Sequence, residues 1–144
     1  MLKDISSLSS FIGIMLFISC GVKGPEPIIL NKDECSNCKM PVSDKRYGCE
    51  LITEKGRVYK FDDLSCLINY QKTNRDKTIN AQVFVSDFLA PNELTHLKEL
   101  TFIRGEDMGS PMGGNIAAFS NKDSASFYLT KWKAESTTWD SLIR

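Results

Sequence analysis

Histidine is almost missing from this sequence: His96 is the one instance among 144 residues. It lies in no recognisable motif, so no Ser–His–Asp arrangement can be assigned, and no glycine-rich phosphate-binding loop occurs. A surplus of charge is missing as well. Lys plus Arg and Asp plus Glu number 18 each. There is no basic field to attract nucleic acid and no acidic tail. A long apolar run is the third absence. The stretch from Phe11 to Ile18 is too short to cross a bilayer as a permanent helix. Nothing in the chain reads as catalytic, and the expectation is a protein that is not an enzyme.

What is present begins with a targeting segment. Lys3 gives a weakly basic start, blunted by Asp4, and the apolar run ends in Leu16-Phe17-Ile18-Ser19-Cys20. This looks like a bacterial lipobox, with Phe17 where the common pattern has Leu. Residues 1–19 are therefore expected to be a signal peptide and Cys20 the lipidation site. Residues 20–33, with two prolines and two glycines in Gly21-Val22-Lys23-Gly24-Pro25-Glu26-Pro27, read as a lipidated flexible tether. The expected location is the bacterial cell envelope, anchored by lipid and facing the periplasm or another extracytoplasmic side. Export also brings the other cysteines into an oxidising compartment.

The rest divides into two similar parts, 34–91 and 92–144. Tyr47–Thr53 and Arg57–Phe61 read as strands joined by the turn Glu54-Lys55-Gly56. Asp62 is expected to cap a helix running to about Lys72. A polar loop spans Thr73 to Thr78, and Ala81–Asp87 reads as a third strand. In the second part Leu100–Arg104 and Asn115–Phe119 read as strands around a loop from Gly105 to Gly114. Ser120 is expected to cap a helix from about Lys122 to Ala134, and Ser136 to Leu142 reads as a last strand. Superposing Phe61 on Phe119 matches Gly56 with Gly114, Asp62 with Ser120 and Tyr70 with Tyr128. The expected fold class is α+β: two similar small ββα(β) halves following a signal and a tether.

Two sulfur-bearing stretches carry the chemistry. Cys35-Ser36-Asn37-Cys38-Lys39-Met40-Pro41 puts two thiols and a thioether within six residues. Soft donors of this kind select Cu(I), zinc or iron–sulfur clusters. Methionine is not a usual zinc ligand, so its presence points to Cu(I). Ser36 and Asn37 form turns that can fold Cys35 back towards Cys38. Pro41 favours an extended Met40, which would share a face with Cys38. The second stretch is Gly105–Gly114, with Met108 and Met112 on a glycine-rich loop. Met112, between Pro111 and Gly113, is expected to line or ligate the site. Met108 divides evenly between ligand and core filler, and His96 is a further candidate ligand. Cys49 and Cys66 are expected in the core, with a Cys49–Cys66 disulfide as the second reading. A four-cysteine zinc site is a weaker alternative because it leaves the methionines unexplained. A thioredoxin-like role for Cys35 and Cys38 fares worse, since Met40-Pro41 forbids an immediate helix.

Cys35-x-x-Cys38-x-Met40, Phe61-Asp62-Asp63 and Gly109-Ser110-Pro111-Met112-Gly113, in that order, resemble the NosL family from about residue 34 to 129. These are membrane-anchored accessory lipoproteins that carry copper for maturation of nitrous oxide reductase. The resemblance implies an α+β protein of two similar halves and a single Cu(I) site drawing on the Cys-Met motif and on Met112. It also implies a copper-receiving metalloenzyme, or its maturation machinery, as partner. The family often has a His-Gly pair near the end of the last helix. The matching region here, Leu129-Thr130-Lys131-Trp132-Lys133, has no histidine. The rival from a different class is a zinc- or disulfide-stabilised lipoprotein domain that recruits other proteins without moving copper.

Overall fold

The computed structural model describes residues 24–144. The signal peptide, Cys20 and the start of the tether lie outside the described residues. Among the described residues no helix is long and apolar enough to cross a membrane.

The first half opens with strands β1 (Cys49–Ile52) and β2 (Val58–Phe61), paired antiparallel with Cys49 opposite Phe61. Gly56 makes the connecting turn at φ +78, a backbone conformation that suits glycine. Helix α1 (Leu64–Thr73) follows, then a single turn α2 (Arg75–Thr78) inside the stretch expected as a polar loop. Strand β3 (Gln82–Ser86) and strand β4 (Leu94–His96) complete a four-stranded sheet in the order β2-β1-β3-β4, so the first half runs past the boundary expected at residue 91. In the second half β5 (Thr101–Arg104), β6 (Ile116–Phe119) and β7 (Glu135–Thr137) form a sheet in the order β6-β5-β7. Helix α3 (Lys122–Lys131) precedes β7. The expected last strand is only β7. Thr138 then caps a short helix, α4 (Trp139–Leu142), with its side chain on the Ser141 N–H.

The internal repeat is real. Strand β2 and helix α1 lie 58 residues before β6 and α3 at both ends of each element. The fold is α+β, built from two similar small halves.

The helix caps differ from expectation by one residue. Asp63, not Asp62, caps α1, its Oδ1 accepting from the Ser65 N–H at 2.8 Å. Asn121, not Ser120, caps α3, accepting from the N–H groups of Asp123 and Ser124. Either of two adjacent polar residues satisfies the capping pattern, and here the later one turns towards the helix. That one-residue difference frees the Asp62 side chain.

The halves interlock. Phe102, Ile116 and Ala118 of the second sheet join the first-half core around Leu51, Phe61, Leu64 and Leu67. Their neighbours Ile103, Ala117 and Phe119 point the other way, into a second core under α3. Period-two alternation thus puts both faces of β5 and β6 to use, and every residue of β6 is buried. The first half returns the exchange through Tyr47 and Phe88, which pack in the second core. Phe88 meets Phe119, Tyr128 and Trp132 at ring-centroid distances of 5.6, 5.7 and 5.1 Å.

Of the expected tether, residues 26–33 lie against the first half. Ile28 is buried, and its N–H donates to Asn92 Oδ1 at 2.8 Å. Lys60 Nζ donates to the Pro27 carbonyl at 3.0 Å and to Asp33 at 2.9 Å. The apolar side chain of Ile28 gives this stretch something to bury, which a glycine- and proline-rich composition alone does not reveal.

Candidate metal centre

Cys35 to Met40 forms a knuckle. Glu34 and Pro41 bridge antiparallel, the Cys35 N–H donates to the Met40 carbonyl at 2.8 Å, and the Lys39 N–H donates back to the Cys35 carbonyl at 3.0 Å. Lys39 closes the loop at φ +67. A left-handed residue between Cys38 and Met40 means the chain is not extended there. The expectation that strand alternation puts these two side chains on one face therefore fails. The knuckle is stitched to β2 by the Ser36 N–H on the Lys60 carbonyl at 2.8 Å.

That stitch brings the knuckle against the end of β2 and the start of α1. One donor atom from each of Cys35, Cys38, Cys66 and Asp62 lies within 4.8 Å of every other. Thiolates held about 2.3 Å from one ion stand roughly 4 Å apart. The group therefore needs to contract by less than about 1 Å to share a metal. Cys38 is half-buried and forms the open side, and its Sγ donates to the Asp62 carboxylate at 3.8 and 3.9 Å. Cys35 and Cys66 are buried behind it.

Cys66 lies in the core as expected, but its thiol also joins the donor group, and Asp62, expected as a cap, joins it too. Cys66 occupies the first turn of α1, three residues after the capping Asp63, and so faces back over the helix N-terminus towards the knuckle. The sequence places Cys66 in a first helical turn but does not show that the knuckle meets it there. No disulfide joins Cys49 to Cys66; all four described cysteines are free. Cys49 is buried in β1 and is not part of the donor group. The four-cysteine set is therefore not assembled as such.

Burial pushes the Cys35 thiol up, while the backbone N–H groups of Cys38, Asp62 and Asn37 pull it down. Burial raises Cys66 also, against the Asn37 side chain and with the nearby Cys35 and Asp62. Cys49 is raised by burial, then by Asp63 and its thiol neighbours. In the metal-free site burial thus favours the protonated forms of Cys35 and Cys66. A soft cation entering it displaces protons.

The methionines separate clearly. Met40 and Met112 are 46% and 39% exposed, each on a loop. Met108 is buried in the second core beside Ile103 and Phe119, and its carbonyl accepts from the Tyr47 hydroxyl. Its side chain serves as packing, which removes Met108 from the candidate ligands. The Met112 backbone N–H donates at 3.1 Å to the carboxylate of Asp63, the residue next to Asp62. His96 ends β4, at the opposite edge of the first sheet from β2. Its ring stands edge-on to Phe84 at 5.5 Å, and its Nδ1 accepts from the Lys98 N–H at 3.3 Å. It is not in the donor group. Distance across the sheet removes His96 as well.

No curated protein matches the chain. Among solved structures it is similar to the crystal structure of the copper chaperone NosL from Shewanella denitrificans. That likeness has 21% sequence identity and a TM-score of 0.70, and covers 82% of this chain and 94% of that one. At this identity it speaks for the fold. The NosL family matches residues 27–142, which takes in the knuckle, both sheets and the Met112 loop. The chain belongs to the NosL family.

Proposed function

We propose that this protein is a membrane-anchored, extracytoplasmic Cu(I) carrier that passes copper to a metalloenzyme, as in maturation of nitrous oxide reductase. The observation that carries the reading is the convergence of three thiols within 4.8 Å of one another, two buried and Cys38 half-buried. Thiolates are the strongest soft donors in a protein, and Cu(I) is the softest of the common cargo ions. Family membership supports it, as does the likeness in fold to a copper chaperone. The ligand set we assign is Cys35, Cys38 and Cys66, with Met40 and Met112 as thioether donors from the two flanking loops. Low coordination by sulfur suits transfer, because a donor from the partner enters as one of these leaves. Anchoring through Cys20 would keep the carrier at the membrane surface.

A second reading has its own observation. Three thiolates and the Asp62 carboxylate make a set that zinc accepts in tetrahedral geometry. Zinc there would be structural, and the domain would recruit partners without moving metal. Competition separates the two. The reduced chain is offered Cu(I) and Zn(II) together, and bound metal is measured. Preference for Cu(I), with loss of binding in Cys38→Ser, is the expected result. A chain that keeps zinc and ignores Cu(I) sinks the copper reading.

A further inference from the structure

The loop carrying Met112 belongs to the second half, yet it is tied to the first by one side chain. Asp63 is 1% exposed. Its Oδ1 caps α1, and its Oδ2 accepts from the Ser110 hydroxyl at 2.6 Å and from the Met112 N–H at 3.1 Å. The loop is braced on itself by the Ser110 N–H on Asn115 Oδ1 and the Asn115 N–H on Ser110 Oγ. Its far end is equally close to Asp63. A Cβ on Gly114 would lie 2.5 Å from Asp63 Oδ1 and 2.9 Å from the Ser65 side chain. The loop is therefore wrapped around one carboxylate, whose sequence neighbour Asp62 belongs to the donor group.

Resting on the copper reading above, we propose that Asp63 is a positioning residue for the metal. It holds the 109–114 loop at the thiol pocket so that Met112 takes part in Cu(I) capture. The cap and the loop anchor use different oxygens of the same carboxylate, so the helix bearing Cys66 and the loop bearing Met112 are registered to one point. An amide separates the two jobs. The equivalent residue of the second half is Asn121, and it caps α3 through its Oδ1. Asp63→Asn therefore keeps the cap. Its NH2 group then faces the Met112 N–H, donor against donor, and that anchor is lost.

The experiment is a double-mutant cycle on the full chain. Cu(I) affinity is titrated against a chelator for wild type, Asp63→Asn, Met112→Leu and the double variant. Met112→Leu weakens binding by itself, at nearly constant side-chain volume. Asp63→Asn weakens Cu(I) binding about tenfold in the wild-type background. On the Met112→Leu background it costs less than about twofold, because there is no thioether left to place. A merely structural role for Asp63 would give the same loss in both backgrounds, and that result overturns the inference. So does full affinity in Met112→Leu, which leaves the thiol copper site standing. A wild-type chain that takes up no Cu(I) instead removes the reading beneath. Ser110→Ala guards against a variant that fails to fold. It deletes the hydroxyl that donates to Asp63 and accepts from the Asn115 N–H without touching the cap, and its smaller loss should vanish with Met112 in the same way.

Discussion

The two halves share a frame and divide the labour. Where the first half has Asp62, Asp63 and Cys66 at the start of α1, the second has Ser120, Asn121 and Ser124 at the start of α3, each 58 residues on. Both starts follow a buried phenylalanine that ends a strand, and both are capped. Only the first has sulfur, and a carboxylate just ahead of its capping residue, and only the first is met by the Cys35–Met40 knuckle. Both halves pack the ring pair at the matching positions, Phe61 with Tyr70 at 5.3 Å and Phe119 with Tyr128 at 5.4 Å, and the second half adds Trp132, 4.4 Å from Tyr128. A helix start that places donors is thus separable from the scaffold that carries it, and one copy of a repeat can hold the site while the other stiffens it.

The largest effect tests whether the halves stand alone. Phe61→Ala and Phe119→Ala each remove a ring buried at the matching position, at about 3–5 kcal/mol apiece. Because Tyr47 and Phe88 pack in the second core, and Phe102 and Ala118 in the first, both variants should unfold in urea as one cooperative step. Two separated transitions in Phe119→Ala would show that the halves fold independently.

Next in size is the chemical difference between the helix starts. Cys66→Ser should lower Cu(I) affinity by about 100-fold or more, at or beyond the upper end of what outer-shell changes cost. Ser124→Cys should leave the stoichiometry at one ion, since no knuckle faces it. The pH dependence sharpens this. Burial keeps Cys35 and Cys66 protonated, so apparent affinity rises with pH by about tenfold per unit for each proton displaced. Removing Cys66 removes one of those protons and flattens the slope accordingly. An unchanged slope would place Cys66 outside the ligand set.

The same residue shows what a sequence can reveal of such a site. The repeat is legible because a phenylalanine, a capping residue and a tyrosine recur at one spacing, each with a local cause. Cys35 and Cys38 are legible because a turn brings them together within their own segment. Cys66 is not, because its place depends on how β2, α1 and the knuckle meet. Buried cysteine is also the default for a cysteine of unknown surroundings. The choice between Asp62 and Asp63 as cap is beyond propensity altogether, since both are good caps, and on that choice rests which one faces the thiols. Met108 is ambiguous in sequence for the converse reason. Its glycine-rich loop makes a single turn, Glu106–Met108, which leaves Glu106 and Asp107 exposed and buries Met108 in the core beneath α3, among residues from distant parts of the chain.

The smallest effect concerns the second carboxylate that joins the halves. Asp87, just after β3, accepts from the Ser120 N–H at 2.7 Å, and from the N–H groups of Leu89 and Ala90 at 2.8 and 3.3 Å. It does for the lead-in to α3 what Asp63 does for the Met112 loop, but no member of the donor group adjoins it in sequence. Burial works to raise its pKa, yet the donors from Ser120, Leu89 and Ala90 outweigh that and hold it below the ordinary carboxylate range. A depressed folded-state value means a contribution fully present above the unfolded value of about 3.9 and lost as pH falls through the folded one. Asp87→Asn should therefore cost about 1–2 kcal/mol in urea unfolding at pH 7. The gap to wild type should shrink once the pH drops below about 4. Cu(I) affinity should stay at the wild-type value. A gap that is constant with pH would mean that Asp87 acts through its shape and not its charge, and a fall in Cu(I) affinity would mean that both carboxylates, not Asp63 alone, hold the second half in place over the metal.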